Sequence, residues 1–596
     1  MVKMFAPHMT DGYKLGHAQQ YVEGTSFLYS NLTPRSDKYF QGSSLYDGKM
    51  VVFGIQGAVK EIVDNWNESF FSQPKKKVIA RYKRRVDSYL GEGVIDVSRM
   101  AALHDLGYLP VEIKSIAEGE RIPMKIPMLT IKSTIPEFYW VVNYLEPVLS
   151  NMIWKGCTNA TIAFEYKRVM AHYADITGAS HEAVLFQGHD FSSRGMSGAE
   201  DACRSGAAHL TSFLGSDSVG AIDYVEDYYG HGIEEALLNG DVVISQSIPA
   251  TEHAVSSSNI IVRQQDIEKA VEGDTRLLAE TMFLKEYITK TVPSGFCSYV
   301  ADTYDYFGVL TQVLPTLKDT IMARDGRTVV RPDSGDPVDI ICGTVEDSYF
   351  TLEEAILRTN KYHYAMANED CEGSYNCGDE EYSDIVYVSG EGKYYELTTP
   401  FEYNRHNKQF YYIDNYSDEA GETVAKEVEA TPEMKGSIQL LWEIFGGTVN
   451  DKGYKELDPH IGLIYGDSIT IPRAEKILHR LKEMGFASTN VVFGVGSYTY
   501  QMSSRDTFGT AMKATATAVN KEMYEIYKDP ATGDKLKKSA RGLLRVDKDE
   551  DGEYSLTDQV SSYAEQCGEL RCLFFEGGFY NLDNIEGIRE RLENQL

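Results

Sequence analysis

Residues 328–337 read Thr-Val-Val-Arg-Pro-Asp-Ser-Gly-Asp-Pro, an apolar run that ends abruptly in charged residues and a turn. Runs of this length with almost no polar residue inside them are typical of strands buried on both faces of a sheet. The pattern recurs along the chain from about Val184 onward. The other runs are 183–190, 212–217, 242–247, 296–302, 462–467 and 490–496.

Helices are predicted between several of these runs. Residues 471–485 place four apolar side chains on one helical face, after a proline in the second position and before a glycine in the last. Alternating strands and helices favour parallel strands joined by crossover helices, so an α/β barrel or a doubly wound sheet is expected. In either architecture chemistry collects at the C-terminal ends of strands, which is where the polar residues of every run fall. The four apolar residues are Ala474, Ile477, Leu478 and Leu481.

The chain has 596 residues, more than one ordinary domain. Its sequence pattern divides it into three kinds of region. Both ends look more antiparallel, so residues 1–160 plus 508–596 are predicted to form a β-rich domain from both termini. Residues 161–507 are predicted to form the α/β barrel catalytic domain. Within it, residues 340–432 are acidic and rich in Tyr and interrupt the strand–helix alternation, which predicts an inserted β-rich subdomain.

The composition argues against two classes of partner. The formal net charge is −31, and an acidic surface repels both duplex nucleic acid and anionic membranes. No stretch approaches the roughly 20 apolar residues that a membrane helix needs, and the N-terminus lacks the long apolar segment of a signal peptide. The eight cysteines form no CxxC pair. We therefore expect a cytoplasmic protein with reduced thiols.

The opening run delivers Arg331 and Asp333 to the end of a predicted strand, and Gly335 with Pro337 turns the chain at once. An arginine fork and a carboxylate suit an anionic group together with a sugar hydroxyl or a magnesium ion. A buried structural ion pair beside a turn is the alternative.

Glycines end the next two runs, at Gly466-Asp467 and at Gly494-Val-Gly496-Ser497. Such glycines let backbone N–H groups approach a phosphate, although a tight strand–helix turn explains them as well. The chain matches neither the P-loop pattern of nucleoside triphosphatases nor the GxGxxG pattern of dinucleotide-binding proteins.

Two further strand ends carry candidate groups. His253, with Glu252 beside it, can act as a general base, a metal ligand or a nucleophile, or it can be structural. Phe191 and Arg194 offer an aromatic face and a guanidinium, which suits a flat base and a phosphate. Core packing is the alternative for Phe191.

Residues 547–558 nearly fit a calcium-binding loop. The flanking residues 543–546 and 554–556 have the character of strands, and the last position is Asp558 rather than Glu. A β-hairpin with an acidic turn is therefore predicted.

Nine stretches, in order and over nearly the whole chain outside 340–432, resemble the nicotinamide phosphoribosyltransferases, which are type II phosphoribosyltransferases. This resemblance implies an irregular α/β barrel and a homodimer with its active site at the subunit interface. The stretches are TDGYK at 10–14, EFYW at 137–140, HDFSSRG at 189–195, GSDS at 215–218, SIPATEH at 247–253, ADTYD at 301–305, RPDSG at 331–335, GD at 466–467 and SRD at 504–506.

The resemblance implies roles for the residues that would bind the base and couple ATP. Phe191 and Tyr13 would hold the nicotinamide ring between them, with Tyr13 supplied by the second subunit. Asp217 would accept the carboxamide N–H and would repel nicotinate, because both groups are anionic. His253 would be phosphorylated by ATP, and Glu252 would orient it.

The remaining implied roles concern the sugar, the phosphates and the metal. Asp302 and Asp333 would bind the ribose and Mg²⁺. The other implied substrate-binding residues are Arg194, Arg331, Gly496 and Ser497 for phosphate, Arg35, Arg505 and Lys513 for pyrophosphate from the partner subunit, and Ser298, Gly466 and Asp467.

The implied activity forms nicotinamide mononucleotide and pyrophosphate from nicotinamide and phosphoribosyl pyrophosphate, with ATP as a co-substrate, in NAD salvage. A nicotinate phosphoribosyltransferase and a catalytically idle nucleotide-binding scaffold are the alternatives. The chain departs from the family pattern in three places. Gly496-Ser-Tyr498 replaces three glycines, Ala511 replaces a serine, and the insertion at 340–432 has no recognised counterpart.

Overall fold

The computed structural model describes residues 4–269, 275–371, 380–404, 409–412, 423–466, 468–528 and 540–596. Contacts between Cα atoms divide the chain into two units. Unit 1 comprises Met1–Arg168, Asp190–Gln246 and Gly496–Leu596, and unit 2 comprises Val169–His189 and Ser247–Val495. The predicted domain boundaries stay predictions.

Unit 2 is built on a parallel sheet. Leu463, for example, lies opposite Val330 on one side and Val491 on the other, in parallel register. Every residue of Ile461–Tyr465 is buried, as expected for a strand covered on both faces. These strands confirm the predicted α/β class. Their order is Gly188–Asp190, Val491–Val495, Ile461–Tyr465, Thr328–Arg331 and Cys297–Val300.

The predicted helix after the strand Ile461–Tyr465 is Ile471–Glu483. Thr470 caps it, because the side chain accepts the Arg473 N–H, and the four apolar residues predicted to share one face are all buried. The other α-helices of unit 2 are His181–Gln187, His253–Glu268, Arg276–Glu286, Tyr306–Gly308, Leu314–Met322, Pro337–Cys342, Leu352–Cys371 and Pro432–Phe445.

The insertion is β-rich, as predicted. The strand Ser348–Tyr349 pairs in parallel with Glu380–Val388, which pairs antiparallel with Lys393–Asn404. Gln409–Tyr412 and Val424–Val428 both pair antiparallel with Lys393–Asn404. A small core holds Ala355, Val386, Val388, Tyr395 and Leu397. Outside the insertion, Gly447–Val449 and Lys455–Leu457 form a hairpin.

Unit 1 contains a seven-stranded sheet made from both ends of the chain, as predicted. Leu32 on one of its strands lies opposite Met512 and Leu129, with antiparallel pairing on both sides. The strand order is Glu522–Glu525, Ala511–Val519, Thr25–Thr33, Leu129–Ser133, Val111–Ser115, Arg571–Phe575 and Gly578–Phe579.

Smaller elements complete the described part of the chain. Lys49–Val51 pairs with Arg121–Pro123, and Gly215–Ser216 is a two-residue strand. The remaining α-helices are His17–Gln20, Ile55–Trp66, Lys75–Leu90, Ser98–Leu106, Val141–Thr177, Ala199–His209, Val219–Tyr229, Glu234–Asn239, Ser497–Gln501, Ser562–Glu565 and Ile585–Glu593.

Two predicted strands are wrong. Residues 183–187 belong to the helix His181–Gln187, which Ser180 caps by accepting the Glu182 N–H, and the strand begins only at Gly188. Residues 242–247 form a single bridge, through Gln246. The Arg589 guanidinium donates hydrogen bonds to the carbonyl oxygens of Val243 and Ile244, at 2.9 and 2.6 Å. These carbonyl groups are therefore not available to pair with a neighbouring strand.

Residues 547–558, which nearly fit a calcium-binding loop, lie in a β-hairpin, as predicted. Leu543–Lys548 pairs antiparallel with Tyr554–Val560. Asp549 Oδ1 accepts the N–H groups of Asp551 and Glu553, which closes the acidic turn. Among the described helices, none is long and apolar enough to cross a membrane.

Candidate functional site

The carboxylate of Asp302 is the centre of a cluster in unit 2. Asp302 follows the strand Cys297–Val300, and its side chain is 5% exposed. Oδ1 lies 3.0 Å from Nε2 of His253. Oδ2 accepts the Asp333 N–H at 3.1 Å and the Ser334 hydroxyl at 2.7 Å. One carboxylate thus joins the start of the helix His253–Glu268 to the turn after Thr328–Arg331.

This contact defines the hydrogen positions of the histidine. A carboxylate only accepts hydrogen bonds, so the hydrogen of a neutral His253 ring belongs on Nε2 and the lone pair on Nδ1. His253 is 49% exposed, which leaves the ring accessible. The Glu252 side chain is also exposed, and its orienting role stays a prediction, whereas Asp302 makes the contact that such a role requires.

Arg331 is held by the segment before His253. Its Nη2 donates to the Thr251 carbonyl at 2.9 Å, and the Thr251 hydroxyl in turn accepts the Val300 N–H. Arg331 Nε and the Ser298 hydroxyl are buried without a hydrogen-bond partner among the described residues. Because buried polar groups are normally paired, these two groups fit a polar ligand at the strand ends.

Gly466 allows Asp333 to come close. A side chain at this glycine would place its Cβ 2.5 Å from Asp333 Oδ1 and 3.4 Å from Arg331 Cδ. A residue with a Cβ would therefore have to displace the carboxylate. Asp467, also predicted for the site, lies outside the described residues.

The two predicted metal ligands, Asp302 and Asp333, fit magnesium better than a metal ion that needs three or more protein side chains. The described residues contain no group of three or more His, Cys, Asp or Glu side chains that could hold an ion. Mg²⁺, however, commonly binds one or two carboxylates and takes its other ligands from water and substrate phosphates. The Asp302 carboxylate accepts a hydrogen bond from the Asp333 backbone N–H, so the two aspartates lie close enough to supply such a pair of carboxylates.

A second cluster, in unit 1, forms around the fully buried Asp190. Its carboxylate accepts the Ser192 N–H at 2.9 Å and the Ser216 hydroxyl at 3.3 Å, and its carbonyl accepts the Asp217 N–H at 2.9 Å. Asp190 therefore holds the segment carrying Phe191 next to the one carrying Asp217. Phe191 is partly exposed, and Asp217 is exposed.

Phosphate-binding candidates lie in the same unit. A Cβ atom on Gly195 would come within 2.0 Å of the Ser497 hydroxyl, so this glycine permits a close approach between the two segments. Arg194 precedes Gly195 and is exposed, and Gly496 precedes Ser497. The structure thus brings together Arg194, Gly496 and Ser497, which the sequence had predicted to bind phosphate.

The residues predicted to act on the neighbouring subunit also share unit 1. Arg35 Nε donates to the Gly509 carbonyl at 2.7 Å. Burial lowers the pKa of Lys513, and the charges of Arg35, Lys528 and Arg505 lower it further, whereas Glu146 opposes them. Tyr13 is 64% exposed; burial and its hydrogen bond with Asp11 raise the pKa of its phenol, and the charge of Arg505 opposes that rise.

Three residues that hold the two clusters together escaped the sequence analysis. Thr251 and Ser334 lie inside the stretches 247–253 and 331–335, and Asp190 lies inside 189–195. Each is adjacent in sequence to a predicted site residue, so a search for polar residues beside the candidates would have found all three.

Comparisons with known proteins match this chain over most of its length. The model of the nicotinate phosphoribosyltransferase (NAPRTase) family matches residues 186–368 and 414–563. A nicotinamide phosphoribosyltransferase of Acinetobacter baylyi is 42% identical over 593 residues, covering 98% of this chain and 96% of its own. Its namesake in Mycoplasma pneumoniae is 28% identical over 543 residues, covering 89% and 93%. The crystal structure of human nicotinic acid phosphoribosyltransferase superposes with a TM-score of 0.45 at 13% identity, covering 98% and 93%.

The lowered pKa of Lys513 gives a test of the basic cluster. Arg505→Ala removes a neighbouring positive charge, so the pKa of Lys513 should rise. Glu146→Gln removes the opposing negative charge, so the pKa should fall further. NMR titration of ¹³C-methylated lysines, with the signal assigned through Lys513→Arg, measures both. Shifts of the same sign in the two variants would contradict the arrangement.

Proposed function

This chain belongs to the nicotinate phosphoribosyltransferase family, and from that premise we propose that it forms nicotinamide mononucleotide and pyrophosphate from nicotinamide and phosphoribosyl pyrophosphate. Family membership makes it an enzyme, a pentosyltransferase of NAD synthesis. Among the proteins it resembles, the relative sharing 42% identity carries the name nicotinamide phosphoribosyltransferase, which supports nicotinamide as the base. The observation that carries the proposal is the group of His253, Asp333 and Ser334 on the Asp302 carboxylate, with Arg331 held by the Thr251 carbonyl two residues before His253.

In the proposed complex, the residues of this cluster bind the phosphoribosyl group. Arg331 has a buried Nε–H still available for an anion, and Ser298 has a buried hydroxyl. Asp302 and Asp333 would hold the ribose hydroxyls and a magnesium ion. When bound, magnesium supplies neutralisation of the charge on the leaving pyrophosphate.

The transfer needs no acid or base at the ring. The pyridine nitrogen uses its lone pair to form the bond to C1 of the ribose, while the bond from C1 to the pyrophosphate oxygen breaks. The electron pair of that bond leaves with pyrophosphate, and the ribose carbon gains positive character on the way. Arg35, Arg505 and Lys513 would stabilise the departing anion from the second subunit of a homodimer.

Specificity for the amide would come from unit 1. Phe191 and the partner subunit's Tyr13 would stack on the two faces of the ring. The exposed Asp217 carboxylate would accept the carboxamide N–H, and it would repel the carboxylate of nicotinate.

ATP would be coupled through His253. Its Nδ1, which carries the lone pair when Nε2–H donates to Asp302, would attack the γ-phosphorus of ATP, and the bond to the ADP oxygen would break. Water would later hydrolyse the phosphohistidine. Asp302 would hold the ring in the required tautomer throughout, as carboxylates do for other catalytic histidines.

Base competition tests the proposed substrate. The enzyme, given phosphoribosyl pyrophosphate, magnesium and both bases, should form nicotinamide mononucleotide preferentially. In Asp217→Asn the ratio of kcat/KM for nicotinamide to that for nicotinate should fall by about tenfold or more, because the repulsion of nicotinate is removed.

Asp223→Asn is the matched control for that experiment, since Asp223 is exposed on the helix Val219–Tyr229 that follows Asp217. It should leave the ratio unchanged. Unchanged preference in Asp217→Asn would contradict the role of Asp217. Absence of any mononucleotide product would contradict the proposed function and support the idle nucleotide-binding scaffold.

Replacement of His253 separates coupling from bond making. His253→Ala should retain basal transfer of the phosphoribosyl group but lose its stimulation by ATP, because the imidazole accepts the phosphoryl group and does not touch the ribose. Initial rates with and without ATP measure this. His231→Ala, at an exposed histidine of unit 1, should behave as wild type. Persisting ATP stimulation in His253→Ala would refute the phosphohistidine.

A further inference from the structure

A cavity of about 650 Å³ lies within unit 2, away from the cluster around Asp302. Residues from five segments line it: the strand Ser348–Tyr349, the helix Leu352–Cys371, Ser389 after the strand Glu380–Val388, the hairpin turn at Lys452–Tyr454 and the end of the helix Ile471–Glu483. The insertion is thus one wall and the α/β part of the unit is another. The volume falls within the range of about 300–1,000 Å³ found for small-molecule sites.

Two of the three cationic side chains in this cavity form no ion pair among the described residues. Neither Arg358 nor Lys452 forms an ion pair within the described part of the chain. The Lys452 amine donates only to a neutral acceptor, the carbonyl of Asp175. Lys482, the third cation, pairs with its neighbour Glu483 at 2.9 Å. In a chain with a net charge of −31, two cations in one cavity that form no ion pair among the described residues suit an anionic ligand.

Aromatic rings lie beside these cations. Phe350 is 71% exposed and offers a flat face for stacking. Tyr349 and Tyr454 also line the cavity and are partly exposed. Burial and the charge of Asp347 raise the pKa of the Tyr349 phenol, and the charge of Arg358 opposes that rise.

The acidic residues limit the charge of the ligand. Glu354 and Glu483 line the cavity with the three cations, which leaves one net positive charge. A triphosphate would bring more negative charge than the cavity neutralises. A monophosphate matches it better, and the Glu354 carboxylate can accept a hydrogen bond from a sugar hydroxyl.

We propose that this cavity binds a nucleoside monophosphate, with the base stacked on Phe350 and the phosphate held by Arg358 and Lys452. The inference is independent of the proposed transferase function, because none of these residues belongs to the predicted active site. It gives the insertion at 340–432 a role as one wall of a second ligand site.

Photolabelling with 8-azidoadenosine 5′-monophosphate, followed by peptide mapping with mass spectrometry, tests this site. Label should appear on peptides containing Tyr349 and Phe350 or Tyr454. Arg358→Ala combined with Lys452→Ala should reduce that labelling by about tenfold or more, because charged hydrogen bonds to the phosphate are lost. Lys361→Ala, at an exposed residue on the same helix that does not line the cavity, is the matched control and should leave labelling intact.

Competition experiments separate the two halves of the ligand. Unlabelled adenosine monophosphate should protect these peptides, and adenosine or inorganic phosphate alone should protect them much less. Equal protection by adenosine alone, equal protection by phosphate alone, or undiminished labelling of the double variant would overturn the proposal. Basal transfer should be unchanged in the double variant. Failure of the wild-type enzyme to transfer would refute the proposed function and leave this result standing.

Discussion

The carboxylate of Asp302 is the contact on which the candidate site depends. It receives hydrogen bonds from His253, from the Asp333 backbone and from Ser334, so that it joins three segments that are distant in sequence. A nearly buried carboxylate is stable only when such donors surround it. Loss of Asp302 would therefore release the histidine and the turn after Arg331 together, and the order of this region follows from one acceptor with three donors.

Parallel strands explain why these groups meet. The strands ending at Val300, Arg331 and Tyr465 are neighbours, so the residues after their carboxyl ends share one edge of the sheet. Close approach at that edge then requires glycine, since Gly466 leaves the space that Asp333 fills. Gly195 allows a similar approach to Ser497 in unit 1. Polar side chains and the glycines that make room for them thus occur together at these positions.

Much of this was predictable from apolar runs that stop at polar residues, which located four of the parallel strands and the helix Ile471–Glu483. The same rule failed at residues 183–187, because a short apolar segment does not distinguish strand from helix, and at 242–247, because Arg589 from the far end of the chain binds the carbonyl oxygens. The contact between Asp302 and His253 was also beyond the sequence, since it joins residues 49 positions apart. The roles of Tyr13 and Asp217 came from family resemblance, which composition and periodicity do not supply.

The central claim is that the strand ends around Asp302 bind the phosphoribosyl group. The most direct measurement is kcat/KM for phosphoribosyl pyrophosphate in Gly466→Ala, with Gly462→Ala as the control. Gly462 lies in the strand that precedes Gly466, and a Cβ there would have the Arg327 side chain and Val329 as its nearest neighbours. The account predicts a loss of about a hundredfold in Gly466→Ala, as expected when a site group is displaced by about 1 Å, and little change in Gly462→Ala. Wild-type kcat/KM in a folded Gly466→Ala enzyme would contradict it.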